Sequence, residues 1–170
     1  MKPLYTALAG LLLATGTASF AQAPASPNPL IDYARFADLV RDLGPVREAH
    51  RLPWSQFEAA MARDGAILLD TRSAADFTRG HIDGAINLPF SEFTDAKLAA
   101  TLGEDRQRPI LIYCNNNFSD NVAPVMTKRA PLALNIPTFV NLHGYGYSNV
   151  WELADVMSIS DPRLRWISGS

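Results

Sequence analysis

With 170 residues, 48% hydrophobic and 19% charged, the chain has ordinary globular composition, enough for one sizeable core and short for two. Its formal charge is −2, and its densest basic groups are pairs, Arg106 with Arg108 and Lys128 with Arg129, which excludes a phosphate-tracking surface and so a nucleic-acid binder. A lone cysteine, Cys114, with His50, His81 and His143 far apart, excludes an internal disulfide, zinc fingers and iron–sulfur clusters, so no metal and no cofactor are expected.

At the N-terminus Lys2 precedes an apolar run from Leu8 to Leu13 and small residues from Ala14 to Ser19, the layout of a secretory signal peptide. The run is shorter than the ~20 residues that cross a bilayer. Ser19-Phe20-Ala21 and Ala21-Gln22-Ala23 both satisfy small-x-small, but Pro24 would follow the second cut directly, so the signal is expected to span residues 1–21. Loss of Lys2 then takes the charge from −2 to −3. The expected destination is a periplasm, with no stable membrane insertion after cleavage.

Residues 22–49 form an extension, proline-rich from Pro24 to Pro29. Phe36, Leu39, Val40 and Leu43 recur at helical spacing, and Gly44-Pro45 is expected to end that short helix. Ser55-Gln56-Phe57-Glu58 has the form of a capping box opening a helix to about Arg63. Asp64-Gly65 marks a turn before the apolar run Ala66 to Leu69, a strand buried on both faces that ends at Asp70. Ser73 offers another cap. Thr94 opens a helix closed by Gly103, and after Pro109 the strand Ile110 to Tyr113 runs into Cys114. Beyond it, Ser119, Asp120 or Asn121 can cap a helix carrying Pro124 in its first turn. Thr138 to Leu142 reads as a further strand, and Gly144 and Gly146 as a turn before a helix around Trp151. Strands alternating with helices imply a parallel sheet whose ligands bind beyond the strands' carboxyl ends, where Asp70 and Cys114 lie.

Leu69 to Arg72, the stretch Phe77 to Pro89 with its GHIDGAINLP run, Ile110 to Cys114, and Leu142 to Gly146 with Trp151 together resemble a rhodanese domain in order and spacing, across residues of about 50 to 157. The resemblance implies a three-layer α/β fold, a small parallel sheet flanked by helices, with residues 158–170 as a tail. It also implies that Cys114 takes a sulfur atom as a persulfide from a small donor and passes it to a thiol acceptor. Independently of the family, backbone amides converging at a helix start would stabilise the nucleophilic thiolate.

The loop Cys114-Asn115-Asn116-Asn117-Phe118-Ser119-Asp120 departs from the family pattern: it lacks the glycine and closing arginine of many active rhodaneses, and Ser119 or Asp120 falls where the arginine stands. This weakens the binding of a dianion such as thiosulfate, and Asp120 would repel it. The three asparagines suit a tight loop and can donate to an anion or merely brace the turn, and Phe118 can add an apolar wall. Asp70, Arg72 and His81 are expected to support the loop, Asn87 to fix the strand after His81, and Trp151 to lie in the core. Two functions follow: a sulfurtransferase or persulfide carrier acting through Cys114, or a catalytically inactive module binding a protein partner. A phosphatase lacks its arginine, and a thiol redox sensor would need an external thiol.

Overall fold

The computed structural model describes residues 28–169; the expected signal, residues 1–21, lies outside the described residues. From Tyr33 onward the elements are α1 (Tyr33–Ala49), β1 (Arg51–Leu52), α2 (Trp54–Met61), β2 (Ile67–Asp70), α3 (Ala74–Arg79), β3 (Gly80–Ile82), β4 (Ala85–Asn87), α4 (Asp95–Leu102), β5 (Ile110–Tyr113), α5 (Asn135–Gly144), β6 (Val150–Leu153) and β7 (Trp166–Ser168). Among them β1, β6, β5, β2 and β4 form, in that order, a sheet in which every neighbouring pair is parallel. Helices cover both faces, so the chain is a three-layer α/β protein.

Period-two alternation distributes the strands' apolar residues to two cores. Leu68, Leu111, Tyr113 and Leu153 face Trp54, Phe57 and Ala60 of α2, whereas Leu69, Ile110, Ile112 and Val150 face Leu98 and Leu102 of α4 and Phe139 and Leu142 of α5. An eight-residue helix such as α4 is marginal alone. Thr94 caps it by accepting from the Lys97 amide, Gly103 ends it at φ 86°, and burial of Leu98 and Leu102, worth about 1.5–3 kcal/mol each, fixes it to the sheet.

The elements around Asp70 and Cys114 follow the sequence, as do the Ser73 cap on α3 and the Thr94 cap on α4. Downstream of Cys114 they do not. Residues 138–142, expected as a strand, lie inside α5, and Trp151, expected in a helix, lies in β6. The β-branched content of Thr138 to Leu142 misleads: Asn135, Thr138, Phe139 and Leu142 are buried at i, i+3, i+4 and i+7, one helical face. Pro137 sits in the first turn of α5, where an amide has no helical partner to lose. The helix expected directly after the cysteine loop is also absent; residues 118–129 are irregular, and α5 starts only at Asn135.

Two further boundaries differ. The first helix runs through Gly44-Pro45 to Ala49, because its last turn is anchored: Arg47 pairs with Glu152 at 2.6 Å, and the His50 ring beyond it stacks on Trp151. It lies against α5, where Leu39 approaches Gly144 so closely that a Cβ there would stand 3.3 Å from it. The start of α2 is Trp54, preceded by Pro53; Ser55 caps nothing, and the Trp54 amide donates to the distant Asp155 carboxylate at 2.8 Å. Residues 158–169, within the expected tail, pack on the domain: Leu164 is buried and β7 pairs antiparallel with β3. Trp166 of β7 lies over Gly80, where any Cβ would come within 2.6 Å of its indole nitrogen.

Candidate active site

Cys114 directly follows β5 at the carboxyl edge of the sheet and is 1% exposed. Its loop is held by Asn117. The Asn117 Oδ1 accepts from the Cys114 amide at 2.9 Å and from Asn135 Nδ2 at 3.0 Å. The Asn117 Nδ2 donates to the carbonyls of Leu153 at 2.8 Å and Asp155 at 3.1 Å. One buried amide thereby ties the cysteine loop, the start of α5 and the end of β6. Asn115 and Asn116 donate outward to the carbonyls of Met126 and Lys128, and the Lys128 amide returns a bond to Asn116 Oδ1. The three asparagines therefore shape the loop through their side chains.

The backbone amides of Asn135, Asn116 and Leu134 act on the thiol in favour of its charged form, and two of the three belong to the start of α5, about 20 residues downstream, rather than to a helix following the cysteine loop. These amides do not yield an acidic thiol. Burial pushes the Cys114 thiol above its ordinary range; the amides of Asn135 and Asn116 oppose this, the Glu152 carboxylate adds to it, and the Leu134 amide opposes it. A pocket of about 230 Å³ lies beside the thiol, lined among others by Arg51, Asn116, Asn135, Glu152 and Val156.

Phe118 and the two residues after it stand elsewhere. Phe118 is 2% exposed and turned into the α2-side core, edge-on to Tyr113 and Trp166, so it is no wall of the pocket. Ser119 bonds to the Met157 carbonyl. Asp120 accepts from Ser158 Oγ at 3.0 Å and the Ile159 amide at 2.8 Å, which commits its carboxylate to the 158–160 turn. The acidic group beside Cys114 is instead Glu152, 4% exposed in the middle of an apolar strand. Glu152, Asn135 and Arg51 escaped the sequence reading; a charged residue inside the run Val150 to Leu153 was the available signal.

Asp70 and Arg72 form a separate buried cluster at the same edge. Arg72 Nη2 and Nε both reach the Asp70 carboxylate, the former at 2.6 Å, and Tyr113 OH donates to Asp70 Oδ2 at 2.6 Å. The Arg72 guanidinium also donates to the carbonyls of Gly80 at 2.7 Å and Pro124 at 3.2 Å, and lies 5.7 Å from the ring centres of both Tyr113 and Trp166. Burial opposes the guanidinium's charge, but Asp70 more than offsets it and the pKa is raised; burial and Asp70 together hold the Tyr113 phenol well above its ordinary value. Asn87 Nδ2 joins this cluster through the carbonyls of Asp70 and Arg72. His81 stacks on Phe77 and its Nδ1 lies 2.9 Å from the Phe77 carbonyl; it does not line the Cys114 pocket. Gly144 and Gly146 are at the far end of α5 from Cys114. Among the described residues no group of three His, Cys, Asp or Glu is placed to hold a metal, and no helix is long and apolar enough to cross a membrane.

A five-stranded parallel sheet flanked by helices agrees with the family comparison. The model of the rhodanese-like domain matches residues 54–155, and the chain belongs to that family. Among solved structures it is similar to the Alr3790 protein from Anabaena sp., at 17% identity over 60% of this chain and 68% of that one, TM-score 0.43. The solution structure of the rhodanese-like domain of Alr3790 gives 19% identity over 61% and 67%, TM-score 0.44. The BH2092 protein from Bacillus halodurans gives 16% identity over 71% and 77%, TM-score 0.44.

Proposed function

We propose that this protein carries sulfane sulfur as a persulfide on Cys114, receiving it from a small persulfide and passing it to a thiol, in the periplasm to which its N-terminal sequence would direct it. The carrying observation is the place of Cys114 at the carboxyl end of β5 beside a small pocket, where the amides of Asn116, Leu134 and Asn135 oppose the burial that raises its thiol's pKa. Amides near the thiol favour negative charge there, and a perthiol gives up its proton more readily than a thiol, so the site opposes ionisation of the loaded form less than that of the empty one.

Thiosulfate is disfavoured as donor. No arginine stands in the cysteine loop, and the carboxylate of Glu152 lines the pocket that a dianion would enter. The test incubates the mature protein separately with thiosulfate and glutathione persulfide and follows Cys114 by intact-mass and peptide mass spectrometry, with Cys114→Ser as control. A reducible gain of one sulfur at Cys114 from the persulfide, and little from thiosulfate, is expected; rapid thiosulfate loading would contradict the donor preference. The raised thiol pKa and 1% exposure favour the second reading, a binding module in which Cys114 is inert. Folded protein that gains no sulfur from either donor would establish it over the first.

A further inference from the structure

Among the described residues, two acceptor atoms of the Cys114 pocket residues have no hydrogen-bond partner, Glu152 Oε2 and Asn135 Oδ1. Both residues are more than nine-tenths buried, at 4% and 3% exposure. Glu152 Oε1 is already committed to Arg47 Nη2 at 2.6 Å. The Asn135 orientation is fixed by its neighbours. Asn117 must turn its nitrogen to the carbonyls of Leu153 and Asp155 and its oxygen to the Cys114 amide, so Asn135 must present nitrogen to Asn117 Oδ1 and keep its own oxygen free. Unpaired acceptors of this kind call for a ligand rich in donors.

The mouth carries the opposite sign. Arg51 of β1 stands in register with Glu152 of β6 and lines the same pocket; its side chain is 38% exposed, with Nη1 on Glu48 at 3.1 Å. At about 230 Å³ the pocket is below the ~300–1,000 Å³ of sites for drug-sized ligands. The residues lining this pocket carry a thiol, two unpartnered acceptors and a guanidinium, a set complementary to a molecule bearing sulfur, an ammonium and a carboxylate.

We infer that the sulfur donor is an α-amino-acid hydropersulfide, its ammonium taken by Glu152 Oε2 and Asn135 Oδ1 and its carboxylate by Arg51. This rests on the persulfide chemistry proposed above. In the transfer the Cys114 thiolate attacks the terminal sulfur of R–S–SH. The Cys114 Sγ–S bond forms as the donor's S–S bond breaks, the electron pair leaves on the amino-acid thiolate, and that thiolate takes up the proton Cys114 released. The products are the Cys114 persulfide and the free amino-acid thiol, with no external oxidant or reductant.

The experiment times sulfur gain at Cys114, by intact mass, from cysteine hydropersulfide and from N-acetylcysteine hydropersulfide, which lacks the ammonium. Each rate is divided by that donor's rate with a free small thiol, which removes differences in leaving-group acidity. We expect a preference for the cysteine donor of about ten-fold or more, as charge-assisted hydrogen bonds provide, and its collapse to within about two-fold in Glu152→Gln. Equal normalised rates in the unmodified protein would overturn the inference while leaving Cys114 as a persulfide site. No sulfur gain from any donor would overturn both. If Glu152→Gln does not fold, the donor ratio of the unmodified protein decides alone.

Discussion

Two buried polar clusters stand at the same carboxyl edge of the sheet, and they are built in opposite ways. Around Asp70 and Arg72, the ion pair, the Tyr113 hydroxyl and the carbonyls of Gly80 and Pro124 satisfy one another, and Trp166 covers the guanidinium. Around Cys114, the loop backbone is as firmly held by Asn117, yet Glu152 Oε2 and Asn135 Oδ1 are left unpaired and the thiol's pKa is pushed up. A completed network stabilises and specifies the fold. An incomplete one beside a thiol is where the proposed function places a ligand. That difference is the reason the proposed function places structure in the first cluster and chemistry in the second, although both lie where ligands of parallel sheets bind.

The largest effect is expected from breaking the completed cluster. Arg72→Met leaves the Asp70 carboxylate buried without its counter-charge, and should cost about 3–5 kcal/mol in urea unfolding. A loss below about 1 kcal/mol would mean that the pair is dispensable and the contrast misplaced. Next comes the shared scaffold of the second cluster. Asn117→Ala strands the Cys114 amide, the Asn135 amide and two carbonyls, for about 3 kcal/mol, and should speed alkylation of Cys114 by opening the loop; an unchanged alkylation rate would show that β5 alone places the thiol.

The smallest effect sharpens the electrostatics. Because Glu152 raises the thiol's pKa, removing its charge must lower it, so the inflection in the rate of Cys114 alkylation against pH should move to lower pH in Glu152→Gln. A profile that does not move would leave burial as the whole cause.

The sequence made β2, β5, the caps on α3 and α4, and the position of Cys114 legible, because each is carried by neighbours in the chain: continuous apolar runs, a hydroxyl three residues before an amide, a glycine after a helix. The region after Cys114 was read in the wrong states. There the decisive contacts are remote: α5 is selected by the core that Phe139 and Leu142 enter, β6 by the slot between β1 and β5, and α1 passes through Pro45 because Arg47 finds Glu152. Local propensity is a weak guide where tertiary burial differs by this much.

The candidate site divides in the same way. Residue types and order alone specified a parallel α/β domain with one cysteine at a strand's carboxyl end and a loop without arginine. Which groups face that cysteine was decided only by the fold. The sheet order sets β6 beside β5 and β1 beside β6, and so brings Glu152 and Arg51 to the thiol, while a 20-residue excursion returns the amides of Leu134 and Asn135 to it. Asp120, six residues from Cys114, serves a different turn, whereas Glu152, 38 residues away, sets the thiol's surroundings. Proximity along the chain fixes dihedral angles and caps; the charges and hydrogen-bond donors around a buried atom are fixed by packing.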